Sequence, residues 1–451
     1  MCARKTSPHE AYRSGSIGMT ASHALRVTFV AAVFAVAATV ASAANAGTLR
    51  VLYAFRGFPA GDGANPHAAP LMDRRGNLYG TASAGGSGGC GIVYKLHQTR
   101  NGIWKKTTIY NFAWGDDGYA PSGGLIMDKA GNLFGGTQLG GTGQCFFFGA
   151  RVGCGVVFEL TPATKGTWTE TVLYSFPAPA QGSEFGGPLA SLTFGPKGEL
   201  YGTTVLDDAC NGANYGSVFR LKEVSGIWKE NDIHNFCGTD GASPGYGALA
   251  TDAAGNLYGT TMTGGADSGQ GVVYELSPLR RGKWRFTQLH EFTEADGGTL
   301  EGGVIFDNLG NLYGGEFAGG IGLHGTIYEL SPAGAAWTES NLYNFLGGGA
   351  DGQNPWQSPV FNSNGNLFGA TQAGGEAEFC NNCGVIYELT PQGGGQWKES
   401  VVYSFGSEEN IADGSDPIGG LILGTDGNFY GSTYQGGDQS CNCGVVFEFS
   451  P

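Results

Sequence analysis

The amino-acid sequence predicts an all-β protein, a seven-bladed β-propeller of four-stranded blades, and three observations predict this fold. Glycine contributes 82 of the 451 residues, well above the usual share of about 7%, which is typical of a chain with many tight turns. One glycine-rich element recurs seven times. No helical pattern interrupts the repeats, and a tandem array of units with several short strands each is the sequence signature of a propeller.

The recurring element has the form G-N-L-[YF]-G, and its copies are 55 to 67 residues apart. An apolar run precedes it, a strand of the GVVFEL type follows, and a tryptophan in most units then leads into an LYSF-type strand. Each unit therefore contains four short strand-like segments separated by turn residues. The copies begin at Gly76, Gly131, Gly198 (GELYG), Gly255, Gly310, Gly365 and Gly427 (GNFYG).

A turn of the form Asp-x-x-Gly-Asn is predicted between the first two strands of a unit. Its glycine can take positive φ without a steric penalty, and its aspartate can accept hydrogen bonds from the turn backbone. In the sixth unit Asn362 replaces the aspartate. The aspartates are Asp73, Asp128, Asp252 and Asp307.

The two chain ends are predicted to share the seventh blade. The first LYSF-type element (51–55) precedes every other repeat element, and the last unit ends at Phe449 without one. Strand 51–55 can therefore complete the last blade as its outer strand and remove an exposed sheet edge. In the alternative phase, LYSF is the innermost strand of each blade and no such closure is needed.

The tandem order GNLYGTT, GG, GVVFELTP, LYSF and DGxxP extends over about residues 48–451 and resembles the bacterial GloVer repeats of the "choice-of-anchor" family. The phase is also similar to that of NHL-type propeller repeats, which favours closure by strand 51–55. The resemblance implies an exported bacterial protein, and it implies no established activity.

Residues 1–46 are predicted to be a signal peptide. Arg26 precedes an apolar run from Val27 to Val40, and two A-x-A cleavage sequences follow. Met19 is an alternative start that gives a more ordinary signal length. The run is too short to span a bilayer as a mature helix. We therefore expect residues 47–451 to form one secreted or periplasmic propeller domain without a membrane span.

The chain after residue 46 is acidic, with 20 basic and 38 acidic residues and a net charge of about −18. This charge repels nucleic acid and anionic lipid, and we expect no nucleic-acid partner. It suits cations, neutral sugars or basic proteins, although a role in solubility explains it equally. We expect a monomer.

Export favours disulfides, and eight cysteines are candidates for four of them. Because CNNC (380–383) and CNC (441–443) lie on equivalent loops of neighbouring units, a four-thiolate zinc site is the alternative. The predicted pairs are Cys145–Cys154, Cys210–Cys237, Cys380–Cys383 and Cys441–Cys443.

Aspartates head DG-type loops in six units, whereas the third unit has QGSEFGGP. In a propeller these loops lie on one face, so closure would place the carboxylates around a rim that suits a cation, calcium in particular, or sugar hydroxyls. No other cofactor is expected. The alternative is that Asp-Gly only forms the turn. These candidates are Asp62, Asp117, Asp240, Asp296, Asp351 and Asp413.

Three aromatic residues outside the repeat pattern are candidate stacking platforms for a sugar or a protein partner, namely Trp114, Trp356 and Phe147. They can equally cover the core. No catalytic residue is predicted, because the histidines after residue 46 lack metal-ligand spacing. His234 and His290 take the tyrosine position of LYSF, and we interpret them as structural replacements.

These features predict an exported, non-catalytic binding or scaffold propeller that presents an acidic loop face to a ligand, either a carbohydrate or a protein. The alternative is a propeller enzyme, a lyase or hydrolase that acts on extracellular polysaccharide. Propellers host both classes, so the fold does not choose between them.

Overall fold

The computed structural model describes residues 47–147, 150–178, 187–206, 210, 214–266, 269–293, 296–334 and 336–451, without the side chains of Phe147 and Lys165. Seven four-stranded antiparallel blades form a β-propeller, as predicted. The predicted signal peptide (1–46) lies outside the described residues. No helix in the described ranges is long and apolar enough to cross a membrane.

Within each blade the chain runs outward from the strand nearest the axis, and we number the blades 1 to 7 by their inner strands. The inner strands are Leu71–Met72, Ile126–Met127, Thr193–Phe194, Ala250–Thr251, Ile305–Phe306, Val360–Phe361 and Leu421–Leu423. The second strands are Leu78–Ala82, Leu133–Thr137, Leu200–Thr204, Leu257–Thr263, Leu312–Glu316, Leu367–Gly374 and Phe429–Thr433.

The third and outer strands complete the blades. The third strands are Ile92–Gln98, Val156–Pro162, Ser217–Val224, Val272–Pro278, Thr326–Ala333, Val385–Gly393 and Val445–Ser450. The outer strands are Trp104–Asn111, Trp168–Ser175, Ile227–Asn235, Trp284–Glu291, Ala336–Asn344, Gln396–Ser404 and, for blade 7, Thr48–Ala54.

Short elements occupy the connections between these strands. Single-turn 3₁₀ helices span Thr164–Gly166, Arg280–Gly282 and Glu409–Ile411. The remaining short strands are Gly63–Ala64, Ala84–Gly85, Phe146–Phe147, Ala150–Arg151, Ala242–Pro244 and Gly352–Pro355.

The N-terminal strand closes the ring, which confirms the first of the two predicted phases. Thr48–Ala54 pairs antiparallel with Val445–Ser450, with Thr48 opposite Ser450 and Ala54 opposite Val445. Blade 7 therefore takes three strands from one chain end and its outer strand from the other, and no blade is left with the edge of its third strand unpaired.

The predicted Asp-x-x-Gly-Asn turn joins the inner and second strands. Gly76 has φ of +76°, in the left-handed region that glycine adopts without penalty. Asp73 Oδ1 accepts hydrogen bonds from the backbone of Arg75 (2.8 Å) and Asn77 (2.9 Å), and Oδ2 accepts from the Asn77 side chain at 2.7 Å. The same pattern recurs at Asp128, Asp252 and Asp307.

One three-residue contact recurs at all seven blade interfaces. The last glycine of G-N-L-[YF]-G lies opposite an aromatic residue of the third strand, whose ring occupies the space that a Cβ would need. The phenylalanine of LYSF from the preceding blade then packs against that ring at a centroid distance of 4.9–5.3 Å. The ring pairs are Phe55–Tyr94, Phe112–Phe158, Phe176–Phe219, Phe236–Tyr274, Phe292–Tyr328, Phe345–Tyr387 and Phe405–Phe447.

We expect Gly314→Ala to destabilise the propeller by about 1–3 kcal/mol, because the added methyl group overlaps the Tyr328 ring and overpacks a filled core. Thermal or urea unfolding followed by circular dichroism measures the effect. Gly115→Ala is the matched control, since a Cβ at Gly115 meets no atom within 4 Å. Equal unfolding midpoints for the two variants would contradict this account of the glycine.

We expect a chain that starts at residue 57 to melt at a lower temperature than one that starts at residue 47, and to self-associate. It lacks the strand that pairs with Val445–Ser450 and the Phe55 ring that packs on Tyr94. Scanning calorimetry and light scattering measure both effects. Arg50→Ala is the control, because Arg50 is exposed. A monomeric truncated chain with an unchanged melting temperature would show that the ring does not need its clasp.

Candidate ligand site at the crossing face and the axis

The connections that differ in length and sequence between the units lie at one end of the propeller. Because the four strands of a blade alternate in direction, the loops between second and third strands lie at the same end as the connections that cross from one blade to the next. We call this end the crossing face. The opposite face carries the Asp-x-x-Gly-Asn turns and the hairpins between third and outer strands.

The six predicted rim aspartates lie in the crossing connections, and each accepts hydrogen bonds from its own connection. Asp351 Oδ2, for example, accepts from the Tyr343 hydroxyl at 3.1 Å and from the Leu346 backbone at 2.7 Å. In the connections of Asp240 and Asp296, a histidine takes the place of the tyrosine at 3.0 and 3.2 Å. The other bonds are Tyr53–Asp62, Tyr110–Asp117 and Tyr403–Asp413.

This bonding supports the interpretation that Asp-Gly closes a turn. It also explains why His234 and His290 replace the LYSF tyrosine, since an imidazole N–H can reach the same carboxylate. Burial raises the pKa of Asp62, but hydrogen bonds from Lys106 and Tyr53 outweigh it and leave the pKa below its ordinary value. Across the described ranges, no three His, Cys, Asp or Glu side chains are arranged to hold a metal ion.

A second acidic residue faces some of these aspartates from the outer strand of the next blade. It stands two residues after the repeat tryptophan, and the equivalent residue of blade 1 is Lys106, which forms a buried ion pair with Asp62. Burial, reinforced by Asp117, raises the pKa of Glu170 to about 7. Burial likewise raises the pKa of Glu339 to about 7 beside Asp296, and that of Glu399 to about 8 beside Asp351.

Residues outside the repeat converge at the axis on the crossing face. His67 lies 5.7 Å from Tyr246, 6.3 Å from Trp356 and 5.8 Å from Tyr434, measured between ring centroids. Trp356 also packs on Tyr246 at 5.7 Å and on Phe317 at 5.2 Å. We call these five residues, contributed by five blades, the axial cluster.

The predicted stacking platforms therefore occupy different environments. Trp356 is only 4% exposed and belongs to the axial cluster. Trp114 is 42% exposed on the crossing face, with its ring 5.1 Å from that of Tyr119. The side chain of Phe147 lies outside the described part of the chain.

An axial cavity of about 320 Å³ is lined by residues of all seven blades. His67, Ser122, Leu189 and Tyr246 line it at the level of the crossing connections, and inner-strand residues such as Ile305 line the remainder. No Asp, Glu, Lys or Arg is among the described residues of its wall.

Glu301 contacts the backbone of Tyr246, which lines the cavity. Its backbone oxygen accepts a hydrogen bond from the Tyr246 N–H at 2.6 Å. Its side chain is 6% exposed, and burial raises its pKa to about 8. No described residue donates a hydrogen bond to its Oε2. Burial therefore favours the protonated carboxyl at neutral pH.

The sequence contained a signal for this site that pattern reading missed. In the seven crossing connections, the position that follows DGxxP or its equivalent holds residues as different as His67, Ser122, Glu301 and Trp356. Variation at this position from unit to unit is therefore the sequence signal of the axial wall, whereas the residues that recur are turn residues.

All four predicted disulfides are present, and they stabilise loops of the crossing face. The four cysteines of the alternative zinc site are paired within their own loops. The bridges are Cys145–Cys154, Cys210–Cys237, Cys380–Cys383 and Cys441–Cys443.

The fold and its tandem units define a class, the β-propellers built from internal repeats. The model of the Gloeobacter/Verrucomicrobia repeat matches residues 32–247, 145–348 and 248–451, and the chain belongs to this family. No curated protein matches the sequence.

Solved structures similar to this chain are distant. A Dyadobacter fermentans protein of unknown function has 13% identity and a TM-score of 0.41, with 78% of this chain and 97% of that chain covered. An ulvan lyase of polysaccharide lyase family 25 has 12% identity and a TM-score of 0.45, with 78% of this chain and 86% of that chain covered. A putative glucose dehydrogenase from Thermus thermophilus has 13% identity and a TM-score of 0.37, with 89% of this chain and 99% of that chain covered. Similarities this distant do not indicate an activity for this chain.

We expect the stability of the propeller to fall as the pH rises from about 5 to about 8. The folded-state pKa values of Glu170, Glu339 and Glu399 lie above the unfolded value, so the folded state holds protons that the unfolded state has released. Replacing all three with Gln should reduce the slope of this part of the profile, to which Glu301 also contributes, and raise the melting temperature most at pH 8–9. The control is Glu223→Gln at an exposed site. Parallel profiles for the triple variant and the parent would contradict the assignment.

Proposed function

We propose that the protein is an exported, non-catalytic binding propeller that holds a neutral carbohydrate chain on its crossing face. The observation that carries the proposal is the distribution of exposed aromatic rings. Among the described phenylalanines and tryptophans, the exposed side chains are Phe58, Trp114, Phe146 and Phe379, and all four lie on connections of the crossing face. Aromatic faces are common platforms for apolar and ring-shaped ligand surfaces.

The disulfides also favour the crossing face as the binding surface. They lie in its loops, and a loop held in one conformation loses less entropy when a ligand binds. They also suit an extracellular or periplasmic location, as does membership of a family of exported repeat proteins. The acidic charge of the chain disfavours an anionic polysaccharide.

The enzymatic alternative has less support. Hydrolysis of a glycosidic bond ordinarily uses two carboxyl groups that flank the bond, and the described wall of the axial cavity contains none. A lyase that acts on an acidic sugar must offset the charge of the sugar carboxylate, and the same wall contains no Lys or Arg.

We expect cellohexaose or maltoheptaose to bind the chain of residues 47–451 in isothermal titration calorimetry, and an oligogalacturonate of similar length to bind more weakly. Trp114→Ala should weaken the binding of the neutral oligosaccharide about tenfold. This corresponds to the loss of roughly 1.4 kcal/mol of binding free energy from one stacked ring. Ile103→Ala, at an exposed residue of the opposite face, should leave binding unchanged.

Three outcomes would overturn the proposal. They are the absence of binding by both neutral oligosaccharides, tighter binding of the anionic one, or the release of new reducing ends or unsaturated sugars during incubation. The last outcome would establish the enzyme instead.

A further inference from the structure

A groove of about 480 Å³ lies on the crossing face between blades 6 and 7. Its volume is within the range of roughly 300–1,000 Å³ that small-molecule sites occupy. Three segments form the groove: the blade 6 loop with Phe379, the crossing connection with Asn410 and Ile411, and residues 436–442 of blade 7. The side chains of Phe379, Asn410 and Gln439 are exposed, so a ligand on the crossing face can reach them directly.

The three segments are held in place by bonds that do not involve the exposed side chains. The Phe379 N–H donates to the Gly406 carbonyl oxygen at 3.0 Å, and the Ile411 carbonyl oxygen accepts from the Gly437 N–H at 2.9 Å. Each of the two loops also contains a disulfide, Cys380–Cys383 in blade 6 and Cys441–Cys443 in blade 7. A site that is fixed in this way loses less entropy when a ligand binds.

The crossing connection adopts an unusual backbone conformation where it lines the groove. Asn410 and Ile411 have φ of +60° and +57°, in a region that is uncommon for residues other than glycine and costly for a β-branched side chain. Such conformations concentrate at ligand sites and active sites, where the surrounding structure fixes them. This backbone therefore supports a binding role for the groove.

The side chains of the groove combine an apolar platform with free hydrogen-bonding groups. The ring of Phe379 is 45% exposed and can pack against the C–H groups on one face of a pyranose. Within the described residues, the side-chain amides of Asn410 and Gln439 have no hydrogen-bond partner. Each amide can both donate and accept, so together they can pair with hydroxyl groups at the edge of the same sugar ring.

The charged groups at the groove are mainly acidic. Asp438 lines it, and hydrogen bonds from Ser440 hold the pKa of the Asp438 carboxyl below its ordinary value. This carboxylate can accept a hydrogen bond from a sugar hydroxyl, but it repels a carboxylate or sulfate group on a sugar. The groove therefore suits an uncharged ring better than an anionic one. The exposed charged residues that flank the lining residues in sequence or act on Asp438 are Glu376, Glu378, Glu408, Glu409 and Arg56.

The exposed aromatic rings continue from this groove along one arc of the crossing face. They are Phe379 of blade 6, Phe58 between blades 7 and 1, Trp114 between blades 1 and 2, and Phe146 of blade 2. Among the described phenylalanines and tryptophans, none that is exposed lies on blades 3, 4 or 5. A sugar chain that follows these rings would start at the groove and cross the interface between blades 7 and 1.

We propose that the groove between blades 6 and 7 binds one uncharged sugar ring through Phe379, Asn410 and Gln439, and that a longer chain continues from it over blades 7, 1 and 2. This inference rests on the proposed function and assigns the subsite at one end of the bound chain. A short oligosaccharide occupies the groove alone, whereas a longer one also reaches Trp114.

Calorimetry with the chain of residues 47–451 tests the proposal, using cellotriose, cellohexaose, maltotriose and maltoheptaose as probes. We expect at least one trisaccharide to bind, and the longer chain of the same series to bind about tenfold more tightly because it adds the contact with Trp114. Phe379→Ala should weaken the binding of both chain lengths about tenfold. Asn410→Gly, which keeps the positive φ, and Gln439→Ala should each weaken the binding of the trisaccharide about fivefold.

The controls separate the groove from the rest of the crossing face. Trp114→Ala should weaken the binding of the longer chain and leave that of the trisaccharide unchanged. Leu309→Ala, at an exposed residue of the opposite face, should change neither. The proposal is overturned if neither trisaccharide binds, if Phe379→Ala leaves trisaccharide binding unchanged, or if trigalacturonate binds as tightly. Binding of the longer chain that depends on Trp114 but not on Phe379 would sink this inference and leave the proposed function standing, whereas no binding of any neutral probe would overturn both.

Discussion

The structure depends on one packing constraint, the contact of a strand glycine, an aromatic ring of the next strand and a phenylalanine of the preceding blade. The missing Cβ of Gly314, for instance, leaves the space that Tyr328 fills, and Phe292 packs on the opposite side of that ring. Because the same contact holds at every interface, it sets a similar distance between neighbouring blades. Seven blades with this similar spacing around one axis form a closed ring.

A repeated interface leaves other positions free to differ. The edge-to-face and tilted ring contacts at the interfaces do not include the residue that follows DGxxP or its equivalent, so this position holds residues as different as His67, Ser122, Glu301 and Trp356. The rim aspartates, in contrast, are residues that do not vary between most units. They recur because each completes the hydrogen bonds of its own connection, as Asp351 does with Tyr343 and Leu346. In this protein, repetition marks the scaffold and variation marks the candidate site.

Much of the fold was predictable from the sequence, because its determinants are local. The Asp73 turn, the outer position of strand 51–55 and the pairing of Cys145 with Cys154 all follow from short spacings. The axial cavity was not predictable in the same way. Ser122 and Tyr246 line the same cavity only because blades 2 and 4 face a common axis, and the raised pKa of the buried Glu301 depends on surroundings that no local pattern records.

Lys106 gives the joint between blades 7 and 1 a different chemical character from three other joints. At three other joints an acidic side chain faces the rim aspartate, but here an ammonium group pairs with Asp62 in a nearly dry environment. Alkaline conditions add negative charge at those joints and leave this one electrostatically balanced. At alkaline pH we therefore expect the interface between blades 7 and 1 to be weakened less than the interfaces between blades 1 and 2, blades 4 and 5, and blades 5 and 6.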